Sequence, residues 1–244
     1  MKTVNLIPLN TMPLVKAGDN IAALIVSSCK KEAVELLEDD VIVIAQKIIS
    51  KAENAVVDLK TIIPSVQALE IASQTGRDAR LVQVYLDESS ELLYVKGRMV
   101  ITRHKLGFVM SSSGVDRSNV AEHSQEIVVL LPRDADVSAS AVRAGIKTLT
   151  DKTVSVIIND SGGRSDRAGS VGIAIGLSGI STIENRLQKD LFENQANSQI
   201  ALVDELAAAA SILMGQANEG VPVVIVRGVK YTSSEDSKIS QILN

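Results

Sequence analysis

A mixed α/β fold is predicted by three features of this chain. Val41–Ala45, Ile127–Leu131, Val154–Ile158 and Val221–Arg227 are short, mostly β-branched apolar runs of buried-strand type. Between them, Ser138–Leu149 and Leu202–Met214 carry apolar residues at helical spacing, so strands and helices alternate along the chain. With 45% hydrophobic residues among 244 the core can be sizeable, and with two Phe, three Tyr and no Trp it must be aliphatic. No Pro/Gly/Ser-rich linker divides the sequence, so residues 1–244 read as one unit with room for two intertwined subdomains.

The remaining elements follow in order. Val4–Pro8 reads as a short strand, and Asp19 or Asn20 caps a helix that runs to Lys31. Leu37–Asp40 is an acidic turn before the strand Val41–Ala45, which gives way to QKIISKAEN. Ser65–Thr75 and Ala79–Leu93 have helical spacing with Thr75–Asp78 as the break, and Met99–Arg103 and Gly107–Met110 read as a hairpin around HKLG. Pro132 stops the strand that starts at Ile127, and Val171–Gly179 is an apolar run interleaved with glycines, a pattern of tight backbone packing. Ile183–Gln199 is polar and matches neither period, Gly215 is a natural stop for the helix ending at Met214, and Tyr231–Asn244 reads as a loosely held tail.

Composition excludes several function classes. A net charge of −4 and scarce aromatics oppose a nucleic-acid binder. Cys29 is the only cysteine, so no intramolecular disulfide or thiolate metal cluster is available, and a reducing compartment is expected. The first residues lack the apolar core of a signal peptide and no stretch of 18 apolar residues occurs, which gives a cytoplasmic protein without a membrane partner as the expectation. There is no GxGxxG and no GxxxxGK[ST], so dinucleotide-binding and P-loop readings fail. His104 reads as a plain turn histidine and His123 as a surface residue.

Chemistry-bearing residues collect at three places. After the strand Val154–Ile158, the run Asn159–Gly163 has turn composition that must stop the strand and leave Asp160, Ser161, Gly162 and Gly163 at its end. Asp160 and Ser161 offer oxygens to a hard cation, and Arg164 and Arg167 could balance anionic charge; an ordinary polar loop has the same composition. Residues 111–124 hold Ser111, Ser112, Ser113, Gly114, Asp116, Ser118 and Asn119, which form either a serine-rich surface loop or a second acid for a shared cation site. Lys47 and Lys51, four apart, are either solvated or a phosphate grip.

With SKAE at 50–53, SGVDRSN at 113–119, INDSGGR at 158–164, GSVGIAIGLSG at 169–179 and DELAAAASILMGQANEGVPVVIVRG at 204–228, the chain resembles the coenzyme F420 gamma-glutamyl ligases. The likeness runs from IPLNTMPLVKAGDN to VPVVIVRG, nearly the full length. It implies a GTP-dependent ligase that requires Mn²⁺ or Mg²⁺ and adds L-glutamate to a terminal carboxylate of a deazaflavin coenzyme precursor, on a mixed α/β homodimer fold of the family's own. An acyl phosphate would be the intermediate. By motif, Asp116 and Asp160 would be carboxylate metal ligands, and Asn119 a nucleotide contact. Ser161 stands where the family usually has threonine, and Gln216 where an acidic ligand is common. Met12, Pro13, Leu14 and Val15, then Gln46, Lys47 and Lys51, then Met214, Gly215, Gln216, Ala217, Asn218, Glu219, Gly220 and Val221 match the nucleotide-contacting segments. Lys51, Asp116 and Asp160 would carry the catalysis.

Two departures bear on the acceptor. After INDSGGR the family tends toward an aromatic and paired arginines, where this chain has Ser165, Asp166, Arg167 and Ala168; DLFENQA at 190–196 lacks a Gly-Arg pair. These departures leave room for another acceptor carboxylate, such as a folate glutamyl chain, or for a nucleotide- and metal-binding homologue without catalysis.

Overall fold

The computed structural model describes residues 3–117, 126–164, 167–189 and 191–243. The chain opens with β1 (Asn5–Pro8), α1 (Ile21–Lys31), β2 (Val41–Ala45) and α2 (Gln46–Ala52). Asn20 caps α1 by accepting the Ala23 N–H, while Asp19 accepts the Lys16 N–H one turn earlier. Then come β3 (Val56–Asp58), α3 (Val66–Thr75), α4 (Ala79–Asp87), β4 (Ser89–Lys96), β5 (Met99–His104), β6 (Val109–Ser111) and β7 (Ile127–Val129). The chain closes with α5 (Ala135–Thr150), β8 (Ser155–Arg164), β9 (Arg167–Ser178), β10 (Glu184–Lys189), β11 (Gln195–Ile200), α6 (Leu202–Met214) and β12 (Val223–Arg227).

The mixed α/β expectation holds. The main sheet has the order β1-β12-β2-β8-β9, with β2 and β8 parallel and the other neighbours antiparallel. Val41–Ile44 of β2, Val156–Ile158 of β8 and Val223–Val226 of β12 are buried and β-branched, as strand segments covered on both faces must be. Asp40, just ahead of β2, is 1% exposed and is held bidentately by Arg227 at the end of β12, with Nε–Oδ1 at 2.8 Å and Nη2–Oδ2 at 2.7 Å. A second hydrophobic cluster, built on Leu59, Ile71, Leu81, Val82, Tyr85, Val100 and Val128, belongs to the elements from β3 to β7.

Several expectations need correction. Asn159–Gly163 does not end the strand: β8 runs on to Arg164, because β9 supplies an antiparallel partner for every residue of that run. The register shifts between Ile158 and Asn159, which turns Gly172 toward α6 and Gly176 toward α5. The two helices thus cover opposite faces, and the bulged strand is held by carboxylates of both: Asp204 accepts the Ala174 N–H and Asp136 the Leu177 N–H, each at 2.9 Å. Glycine is required at 172, since a methyl there would overlap Ser211 Oγ and stand 2.5 Å from the Ala207 carbonyl oxygen.

The helix expected over Ala79–Leu93 stops at Asp87, because Leu92 and Val95 pack on the second core from a strand, β4, paired with β5. Ile183–Gln199 is largely the hairpin β10–β11, whose polar strands pair from Glu184↔Ile200 to Lys189↔Gln195. The tail is anchored: Thr232 donates twice to Glu184, Ile239 is buried, and its N–H reaches Asp136. His104 is a turn residue as expected, its Nδ1 accepting the Leu106 N–H, but it is 3% exposed. His123 lies outside the described residues.

Candidate active site

A cleft of about 1200 Å³ opens between the end of β6 and one end of the main sheet. One wall is Met110, Ser111, Ser112, Gly114, Val115 and Asp116, which leave the end of β6. Facing it are the start of α2, the Met12–Lys16 segment, Asn159–Ser161 on β8, and the loop after α6. This placement follows from local structure. No side chain caps α2, whose first residues, Gln46, Lys47 and Ile48, line the cleft with the end of β2, an arrangement suited to anionic groups. The buried Gln46 amide fixes that helix start by donating to Ser50 Oγ at 3.0 Å and to the Leu130 carbonyl at 3.1 Å.

Asp116 and Asp160 meet in this cleft. Lys47 Nζ lies 3.2 Å from Asp116 Oδ2. Burial, then the charge of Asp116, push the Asp160 carboxyl up to about 7, so two acids compete for ionisation in one space. Ser161 Oγ donates to Gln216 Oε1 at 2.9 Å, joining β8 to the loop after α6. Burial and the charge of Lys47 hold Lys51 below the ordinary lysine range. The donor set fits a hard divalent cation: two carboxylates, a hydroxyl and an amide oxygen, all oxygen. Among the described residues no three of His, Cys, Asp and Glu form a metal cluster.

The structure brings together on this cleft Met12, Pro13, Leu14, Val15, Gln46, Lys47, Lys51, Asp116, Asp160, Ser161, Met214, Gly215, Gln216, Ala217, Asn218, Gly220 and Val221. Glu219 is not on the wall; its carboxylate turns back on its own loop and accepts the Ala217 N–H at 2.8 Å. Asn119, expected as a nucleotide contact, lies outside the described residues. Sequence reasoning missed Lys16, Asn159 and Ser211 as lining residues. Asn159 donates to Ser211 Oγ at 3.1 Å and to Met214 Sδ at 3.3 Å, and its position beside Asp160 was the one available signal. Cys29 takes no part: burial pushes its thiol up to about 11, and it packs in the main core.

The model of the F420-0:Gamma-glutamyl ligase family matches residues 10–228. The chain belongs to that family. The ligase is 44% identical to the coenzyme F420:L-glutamate ligase of Methanothermobacter thermautotrophicus over 93% of this chain and 90% of that one. It is 46% identical to the protein of that name from Methanocaldococcus jannaschii, over 89% and 85% of the two chains. With the Archaeoglobus fulgidus protein of that name the identity is 38%, over 98% of both chains. The ligase is thus an enzyme that forms gamma-glutamyl bonds. No described helix is long and apolar enough to cross a membrane.

Proposed function

We propose that this ligase joins L-glutamate to a carboxylate of a coenzyme F420 precursor in a GTP-dependent reaction requiring Mn²⁺ or Mg²⁺. The observation that carries the reading is the meeting of Asp116, Asp160, Lys47 and Lys51 on one cleft. At about 1200 Å³ that cleft has room for a nucleotide and a second substrate, exceeding the usual span of small-ligand pockets.

The chemistry runs in two displacements. An acceptor carboxylate oxygen attacks the γ-phosphorus of GTP; the bond to the bridging oxygen breaks, leaving GDP and an acyl phosphate. The glutamate amine then attacks the acyl carbon, phosphate departs, and the nitrogen loses a proton to give the amide. A divalent cation held by Asp116, Asp160, Ser161 and Gln216 would supply charge neutralisation on the phosphates. Lys47 and Lys51 orient the anionic groups, and the partly buried setting of Lys51 strengthens its hold on phosphate. No side-chain nucleophile is needed, in keeping with a cleft whose described lining contains no histidine or cysteine. Leu187, Leu191 and Phe192, at 74%, 98% and 84% exposure on the β10–β11 hairpin, support pairing of two copies as the working unit.

Incubation of the enzyme with GTP, Mn²⁺, L-glutamate and the F420 precursor should yield a product heavier by one glutamyl residue by mass spectrometry, with GDP formed in equal amount. GDP formation that no acceptor stimulates would overturn the reading.

A further inference from the structure

Ser113 lies directly beneath the cleft wall without lining it. Its neighbours Ser111, Ser112 and Gly114 face the cleft, whereas Ser113 is 0% exposed. The chain enters the left-handed region at three successive residues, Ser112 (φ 57°), Ser113 (φ 51°) and Gly114 (φ 65°). Two of these carry a Cβ, which disfavours that region, so something must hold them there. The Ser113 hydroxyl is the hold: its oxygen lies 2.7 Å from each of Ser89 Oγ, Thr102 Oγ1 and the Tyr85 carbonyl oxygen. One donor and two acceptor sites on a hydroxyl suffice for three such partners.

These partners come from α4, the start of β4 and β5, so the turn is bolted to the elements around the second hydrophobic cluster rather than to the main sheet. Immediately after it, Gly114 passes so close to Leu131 that a methyl would stand 2.9 Å from its side chain, and Val115 is buried. Asp116 then pairs with Val129 through both backbone bonds at 2.9 Å. Turn and bridge together fix the backbone from which the Asp116 carboxylate reaches Lys47 Nζ, 3.2 Å away.

We infer that Ser113 is a positioning residue: its buried hydroxyl locks the left-handed turn that sets the Asp116 carboxylate in the cleft. The inference rests on the reading of Asp116 as a cation-holding residue. Ser113 touches neither substrate nor cation and acts only through the backbone it fixes.

The test is Mn²⁺ binding by electron paramagnetic resonance, with GTP present, on the intact chain. Ser113→Ala should weaken Mn²⁺ about tenfold and raise the KM for the metal–nucleotide more than it lowers kcat. Asp134→Ala removes the side-chain cap of α5, which accepts the Val137 N–H and takes no part in the Ser113 hydrogen bonds, and serves as a destabilised control that should bind Mn²⁺ as the parent does. Thr102→Val removes one of the three partners and should shift Mn²⁺ in the same direction by a smaller factor, keeping the test open if Ser113→Ala does not fold. Parent-like Mn²⁺ affinity in the folded Ser113 or Thr102 variant, alongside weakened binding in Asp116→Asn, overturns this inference alone. Parent-like affinity in Asp116→Asn overturns the cation reading and this inference with it.

Discussion

The Ser161 hydroxyl donates to the Gln216 amide oxygen across 2.9 Å, so a strand residue of the hairpin and a loop residue 55 positions later act as one oxygen pair. Beside them stands Asp160, with its carboxyl near neutrality because burial and Asp116 oppose its charge. We propose that this pair of neutral oxygens and the two acids together hold a divalent cation.

Charge at position 216 should therefore tune cation affinity directly. Gln216→Glu is expected to tighten Mn²⁺ binding on the order of tenfold, since it adds a third carboxylate to an oxygen-lined site. Calorimetric titration with Mn²⁺ checks this; unchanged affinity would remove Gln216 from the set of ligands.

The hairpin that carries Asp160 depends on close packing against α6. Gly172→Ala should destabilise the fold by about 1–3 kcal/mol through overpacking, because the new methyl would strike Ser211 Oγ and the Ala207 carbonyl. A shift of the urea midpoint with an unchanged slope is the expected reading. Gly163→Ala meets nothing within 4 Å and should be close to neutral.

Sequence patterns made some of this visible and concealed the rest for physical reasons. The strand β2 and the helix α6 are continuous apolar or strongly periodic segments, so local pattern and tertiary need agree. Asp160–Gly163 has turn composition, yet the ladder to β9 overrides it; the partner strand follows at once but carries Gly169, Ser170 and Gly172, so strand pattern is weak on both sides of the hairpin. Ser89–Lys96 carries Leu92 and Leu93 at helical distance from Tyr85 and Leu86 respectively, and only the packing of Leu92 and Val95 on the second core selects a strand. In the site, the family motifs identified Asp116 and Asp160, but neither periodicity nor composition could bring Lys16, Asn159 and Ser211 to the same cleft. Ser113 looked like one more surface serine because the groups that bury it lie in α4, β4 and β5.

Arg227 and Asp40 tie the two ends of adjacent central strands in a setting where Asp40 has almost no access to water. Arg227→Met should cost about 3–5 kcal/mol, since it leaves a buried carboxylate without its partner. The double variant Asp40→Leu, Arg227→Met should recover much of that loss. Equilibrium denaturation of the single and double variants makes the comparison.

Glu88, just after α4, should contribute stability that is lost in acid. The His104 ring, with Nε2 3.8 Å from Glu88, together with Lys105 at 3.4 Å, holds the Glu88 carboxyl below the ordinary glutamate range despite partial burial. A depressed carboxyl contributes stability above its unfolded value and loses it as pH falls through the folded value. Glu88→Gln should therefore flatten the acid limb of the stability profile, measured by thermal melting between pH 6 and the pH of acid unfolding. An acid limb as steep as that of the parent would mean that other carboxylates govern it.

We propose that Asp116 and Asp160 jointly hold the divalent cation that the nucleotide's phosphates would need. Mn²⁺-dependent GDP formation by Asp116→Ala and Asp160→Ala, with glutamate and the F420 precursor present, checks this. Each variant should fall by roughly a hundredfold or more while remaining folded, as expected when a ligand to a phosphate-bound cation is removed. Turnover equal to that of the parent in both variants would contradict the account.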